Sequence, residues 1–111
     1  MIRDIIPRVM ANVDAKNVKL IIVTNPLDVM VMLAQSLSKL PASRVIGTGT
    51  MLDSARLRTI LSRQLSVSTQ SISAYVLGEH GDSSMIAWGA TCIGGIDLAG
   101  FCKQTKISLP Q

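Results

Sequence analysis

Aromatic side chains are scarce: the 111 residues include one Phe, one Trp and one Tyr. Phe101, Trp88 and Tyr75 cannot form a stacking row, and the eleven Lys and Arg residues are scattered among seven Asp and Glu. The formal charge of +4 therefore makes no stripe for nucleic acid. Charged residues are only 16% of the chain, below the usual share of about 25%. With 48% hydrophobic residues, that composition excludes a disordered polymer. No apolar run, Leu20 to Val23 included, nears the roughly twenty residues of a membrane span. Arg3, Arg8, Lys16 and Lys19 beside the first helix read as a solvated face. The start, Met1-Ile2-Arg3-Asp4-Ile5-Ile6-Pro7, lacks the apolar core and small-residue cleavage site of a secretory signal, so the cytoplasm is the expected location. Histidine occurs once, and Cys92 and Cys102 are ten apart without a Cys-x-x-Cys pair. Structural thiols and no metal site are expected.

What the chain has is periodic apolar sequence. Ile2, Ile5, Ile6, Val9, Met10 and Val13 keep helical spacing, with Pro7 either starting the helix or kinking a longer one. Leu20 to Thr24 is a continuous β-branched run that reads as a strand covered on both faces. Pro26 suits the first turn of a second helix, which runs to about Lys39 and is apolar almost all round. Arg44 to Gly47 reads as another strand. Thr50 followed by Asp53 resembles a side-chain-capped helix start, and that helix continues through Leu57, Ile60, Leu61 and Leu65. Helix, strand, helix, strand is the rhythm of a parallel sheet, though two strands cannot complete one. Beyond Ser66 the pattern shortens: strands over Ser71 to Leu77 and Ser84 to Trp88 flank a turn, and Gly94 to Lys106 reads as a helix whose end frays before Pro110. A change of domain near residue 50 fits this shift. A stable 111-residue monomer is not expected, because the first strand and second helix need neighbours.

Several residue groups carry chemistry. Gly47-Thr48-Gly49-Thr50-Met51-Leu52 lies between a strand and a helix, yet it lacks the third glycine of a dinucleotide fingerprint, and residues 66 to 72 contain no ribose-binding acid. A close backbone turn is the simpler reading. His80, in Leu77-Gly78-Glu79-His80-Gly81-Asp82, is the side-chain type whose ordinary titration falls nearest neutrality. Held at one ring nitrogen by Asp53, it can exchange a proton through the other; otherwise it is a structural histidine. Glu79 is a rival partner, but adjacent residues point apart. Asp53 and Arg56, three apart, share a helix face. Arg56 has a donor fork for a carboxylate, or it pairs with Asp53. Arg58 points away from Arg56 and reads as a surface or intersubunit residue. Asn25 ends a buried strand at the edge where parallel sheets bind ligands, or makes a local Asx turn.

Four blocks, Val23-Thr24-Asn25-Pro26-Leu27-Asp28, Arg44-Val45-Ile46-Gly47-Thr48-Gly49-Thr50, Leu52-Asp53-Ser54-Ala55-Arg56 and Leu77-Gly78-Glu79-His80-Gly81-Asp82-Ser83-Ser84, together resemble the L-lactate dehydrogenase branch of the lactate and malate dehydrogenases. The likeness runs from about Ile2 to Gln104. The malate branch more often has Gly-Gly-His-Gly-Asp. The resemblance implies an α/β fold class: residues 1–49 as the end of a Rossmann-type parallel sheet in an NAD-binding domain, and residues 50–111 as the start of an α+β substrate domain, the whole fold being incomplete. It implies an NAD-dependent oxidoreductase of glycolysis that interconverts lactate and pyruvate. In that role His80 is proton donor and acceptor, Asp53 its partner, and Arg56 the grip on the substrate carboxylate. Asn25 bonds the substrate oxygen, while Val23, Thr24 and Asn25 lie beside the cofactor NAD. A small 2-hydroxy or 2-oxo acid and a homo-oligomer are the implied partners, with neither nucleic acid nor membrane. The glycine-rich loop, its ribose-binding acid, the substrate-selecting loop and the C-terminal part are not among these residues, so the chain alone is expected to be inactive. Alternatives are a fragment of a lactate-like malate dehydrogenase, or a non-catalytic fragment that binds dehydrogenase subunits. Many bacterial relatives bind fructose 1,6-bisphosphate through an arginine and a histidine. Arg58 matches the first, but Ser73 replaces the second, which leaves no second positive charge for a phosphate.

Overall fold

A computed structural model describes residues 1–108 and divides the chain into two compact units, Met1–Gly49 and Thr50–Gln111. The helix expected to fray before Pro110 ends at Thr105, closed by Lys106 in the left-handed conformation, and Pro110 itself lies outside the described residues. The architecture is α/β with a parallel sheet in the first unit. No helix among the described residues is long and apolar enough to cross a membrane.

In the first unit, helix α1 (Ile2–Ala11) runs through Pro7, so Pro7 neither starts the helix nor ends it. Strand β1 (Leu20–Ile22) leads into helix α2 (Leu27–Ser38), which returns to strand β2 (Val45–Gly47). The strands pair in parallel, with Leu20 opposite Val45, Ile21 opposite Ile46 and Ile22 opposite Gly47. Alternation along each strand sends Leu20, Ile22 and Val45 into a core with Ile6, Leu27, Ala34 and Leu40. Gly47 lets α2 close on β2, because a Cβ there would lie 2.7 Å from Val31 Cγ2. Arg44 Nη1 donates to Ala15 O at 2.8 Å and ties the approach to β2 to the turn before β1.

The other face of this sheet differs from expectation. Ile21 is 68% exposed and its paired neighbour Ile46 is 47% exposed, so only one face is covered. Helix α2 likewise leaves Val29 and Met32 exposed. The apolar run predicted burial that two strands and two helices do not supply, since alternate side chains leave opposite sides of a strand. The double substitution Ile21→Lys and Ile46→Lys is expected to raise the monomer fraction in sedimentation velocity and to lower binding of an apolar fluorescent dye. Unchanged association and dye binding would show that this face is not the sticky surface.

The second unit begins with helix α3 (Met51–Leu65). Strand β3 (Ile72–Ser73) joins strand β6 (Cys92–Ile93), and β6 joins strand β7 (Ile96–Asp97), all antiparallel. Strands β4 (Val76–Leu77) and β5 (Met85–Ile86) form a separate antiparallel pair, and helix α4 (Leu98–Thr105) closes the unit. One apolar core holds Leu57, Leu61 and Leu65 of α3 against Ile72, Ala74, Val76, Ile93, Leu98 and Cys102. The segment expected as one helix from Gly94 starts only at Leu98. Gly94 and Gly95 take φ of +58° and +85° in the β6–β7 turn, a conformation glycine adopts without steric cost. Asp97 then caps the helix by accepting from Gly100 N at 2.8 Å.

Candidate active site

His80 lies in the loop between β4 and β5, and Asp53 is the third residue of α3. The loop is held locally: Gly81 N donates to Glu79 O at 2.9 Å, Ser84 N to Gly81 O at 3.1 Å, and Ser83 Oγ to Glu79 Oε2 at 3.1 Å. Glu79, the rival partner, is thereby engaged with Ser83. Gly78 enters the loop at φ +96°, with Ser83 O 3.3 Å from where a Cβ would stand. Both observations demand glycine. Gly78→Ala should lower stability by about 1–3 kcal/mol, the usual scale for strained backbone. Gly81→Ala, where a Cβ meets only the Glu79 side chain at 4.0 Å, should cost less. Urea unfolding followed by Trp88 fluorescence checks the pair, and equal losses would refute the strain argument.

From this loop His80 Nδ1 reaches Asp53 Oδ2 at 2.7 Å, with the two side chains 28% and 27% exposed. An ionised carboxylate only accepts, so Nδ1 carries the hydrogen in this bond and Nε2 is the nitrogen left for another partner. Asp53 stands in the first turn of α3, where the unsatisfied amides and the helix dipole favour a negative charge. The arrangement leaves Nε2 free to pass a proton while Nδ1 stays on the carboxylate.

Arg56 is on the same helix and exposed, beside a shallow apolar groove of about 430 Å³ lined by Leu52, Ala55, Thr59 and Ile60. Asp53 bonds His80, and no ion pair joins it to Arg56 among the described residues. The guanidinium is not consumed by its helical neighbour. Arg58 is half-buried instead of fully on the surface: its Nη1 is 3.4 Å from Ala74 O, and it lines a second groove with Thr50, Met51, Ser54 and Tyr75. Ser73 is exposed on β3. In the first unit, Val23, Thr24 and Asn25 follow the carboxyl end of β1; Val23 and Asn25 are exposed and Thr24 is half-buried. No cluster of three or more His, Cys, Asp or Glu suited to a metal ion occurs among the described residues.

One hydroxyl differs from the sequence expectation and another is not signalled by it. Thr50 is the N-cap residue of α3, yet its side chain makes no capping bond; Oγ1 donates instead to Val76 O at 2.6 Å. Ser54 Oγ accepts from Val76 N at 2.9 Å. Nothing local signals these bonds, because their partners are 26 and 22 residues away.

Residues 50–109, more than half of the chain, match the model of the lactate/malate dehydrogenase α/β C-terminal domain. An L-lactate dehydrogenase of Thermus aquaticus is 46% identical over 100 residues, 90% of this chain and 32% of the relative. That of Allorhizobium ampelinum is 48% identical over 102 residues, 92% of this chain and 32% of the relative. Among solved structures, the minor L-lactate dehydrogenase of Enterococcus mundtii in its ligands-bound form superposes with a TM-score of 0.84 at 39% identity, covering 94% of this chain and 32% of that one. The lactate dehydrogenase of Cryptosporidium parvum gives 0.81 at 38% identity, over 96% of this chain and 36% of that one. The chain thus spans about a third of the length of the curated relatives it matches. Its sequence match, backbone likeness and histidine–aspartate pair agree: the chain belongs to the lactate/malate dehydrogenase family.

Proposed function

We propose that this chain is the central portion of an NAD-dependent L-lactate dehydrogenase, in which residues 1–49 end the NAD-binding domain and residues 50–111 begin the substrate domain. The observation that carries the reading is the 2.7 Å bond between His80 Nδ1 and Asp53 Oδ2. In this reading His80 Nε2 takes the hydroxyl proton of lactate and returns one to the carbonyl oxygen of pyruvate. Asp53 keeps the ring in one tautomer and one orientation. Arg56 binds the substrate carboxylate with two parallel hydrogen bonds, and Asn25 donates its amide to the substrate oxygen. Val23, Thr24 and Asn25 fit the nicotinamide end of NAD: an exposed apolar residue, a hydroxyl and an amide follow the carboxyl edge of a parallel strand. Bound there, NAD would supply the hydride-transfer chemistry. The whole protein is read as a cytoplasmic homo-oligomer acting on a small 2-hydroxy or 2-oxo acid.

The test is a chimera in which the 100 matched residues of this chain replace their counterparts in the Thermus aquaticus enzyme. It should oxidise NADH with pyruvate, whereas the 111-residue chain, its mass verified on the same sample, should not. Turnover by the chain alone would overturn the requirement for further segments. A folded but inactive chimera would overturn the catalytic assignment. Within the active chimera, Arg56→Leu should lower kcat/KM for pyruvate about tenfold to about 140-fold, since a hydrogen bond to a charged group contributes about 1.5–3 kcal/mol and 1.4 kcal/mol is tenfold. Arg56→Lys should recover only part, because an ammonium lacks the fork. Wild-type kcat/KM in Arg56→Leu would remove Arg56 from the site.

The uncovered Ile21 and Ile46 favour a second reading, a non-catalytic segment that associates with dehydrogenase subunits. Capture of a full-length relative by the chain, with no turnover from the chimera, would select it.

A further inference from the structure

We propose that Ser54, assisted by Thr50, is a positioning residue that sets the register of α3 against β4 and so holds Asp53 Oδ2 on His80 Nδ1. This inference rests on the proton-transfer reading of His80.

A serine inside a helix needs a reason. Alanine is the better helix former and leaves no hydroxyl to satisfy, yet Ser54 is 6% exposed beside a core of leucines. Its Oγ donates to Thr50 O at 2.8 Å, which is the ordinary local solution. The second bond is not local: Oγ also accepts from Val76 N at 2.9 Å. Thr50 Oγ1 donates to Val76 O at 2.6 Å. Both peptide groups of one strand residue are therefore held by side chains from the first turn of a helix.

The pairing of β4 explains why those groups are free. Val76 stands opposite Ile86, and the neighbouring Tyr75 O accepts from Ala87 N at 2.9 Å. In an antiparallel ladder, hydrogen-bonded and non-hydrogen-bonded positions alternate, so Val76 turns its N–H and C=O away from β5. Ser54 and Thr50 occupy that edge as a partner strand would. Their geometry admits one register, because a slip by one residue would present side chains of the wrong face.

The consequence for the site follows from chain distance. Asp53 immediately precedes Ser54, and His80 follows Val76 by four residues. Fixing Ser54 to Val76 fixes the carboxylate and the start of the imidazole's loop to one another, with little chain between clamp and pair. A merely structural hydroxyl would stabilise the unit without affecting the ring.

His80 is the only histidine, so nitrogen-15 spectra of the labelled 111-residue chain read its tautomer without ambiguity. In the wild type the neutral ring is expected mainly as the Nδ1–H form. Asp53→Asn should relax it toward the Nε2–H form that a free imidazole prefers. Ser54→Ala should move the tautomer ratio about threefold or more in the same direction, and should add nothing in the Asp53→Asn background. Thr50→Val should move it less, and Thr50→Ser should restore it. Thr91→Val is the control: that residue is 1% exposed in the same unit, and its hydroxyl donates to Ala87 O at 3.1 Å with no bond to Val76 among the described residues, so stability should fall with the ratio unchanged.

A wild-type ratio in folded Ser54→Ala, with a changed ratio in Asp53→Asn, overturns the positioning role and leaves the pair intact. An unchanged ratio in Asp53→Asn overturns the reading of the pair itself. If Ser54→Ala loses its dispersed spectrum, Thr50→Val decides: a shift toward the Asp53→Asn ratio supports the clamp, and none refutes it.

Discussion

His80→Gln in the active chimera should lower kcat with pyruvate by about 10²- to 10⁴-fold, the span that general acid–base groups contribute, while the Michaelis constant changes little. Glutamine keeps a polar side chain in the loop but cannot hold and release a proton near neutrality. The neighbouring hydroxyls and carboxylates do not replace it: Ser83 and Glu79 bond each other, and Asp82 is exposed. Asp53→Asn should cost less, because the imidazole remains and only its orientation and tautomer suffer. The order of the two losses is the informative outcome. If Asp53→Asn proved the more damaging, Asp53 itself would be the proton-transferring group. Equal wild-type rates for both would remove the pair from the chemistry.

Leu61→Ala should cost the second unit about 2–5 kcal/mol, the range for truncating a leucine in a packed core. Leu61 is 1% exposed and lies at the centre of the cluster that joins α3 to β3, β4, β6 and α4. A unit of this length commands roughly 3–9 kcal/mol in total at 0.05–0.15 kcal/mol per residue. The substitution therefore removes much of that stability and should leave a large unfolded population at room temperature. Trp88, the single tryptophan, belongs to this unit and reports its urea transition. Leu61→Met, close in volume, should cost below about 1.5 kcal/mol. A midpoint for Leu61→Ala at or above that of Leu61→Met would mean the site collapses without a cavity and that Leu61 is not central.

How much could be read in advance depends on the range of the interaction. Periodicities of 3.6 and 2 are written within a few turns of chain, so the helices starting at Ile2, Leu27 and Met51 and the strands at Leu20 and Val45 were legible. Pro7 was ambiguous because its cost is paid by neighbours, and the chain continues helically on both sides of it. The Gly94–Gly95 turn is hidden in the sequence because Ile96, Leu98, Ala99 and Cys102 mimic a helical stripe while the two glycines decide the backbone. Thr50 looked like a cap from the acid three residues on, yet its hydroxyl is taken by Val76, which no local rule places nearby.

The candidate site divides in the same way. That His80 is a proton-exchanging group, that Asp53 stands in the first turn of a helix and that Arg56 shares that helix are matters of residue type and spacing. Sequence by itself determined the α/β alternation, the apolar faces and the inventory of chemical groups, because each follows from local geometry and side-chain chemistry. Residue type and spacing leave open whether Asp53 reaches His80, as the family resemblance implies; the tertiary structure joins the two across 27 residues, and it alone decides that Ser54 and Thr50 hold both peptide groups of Val76. It also decided that one face of the parallel pair stays open. Those outcomes depend on which surfaces meet once the hydrophobic cores close, and a linear pattern specifies what each segment must bury without naming the polar group it will then stand beside.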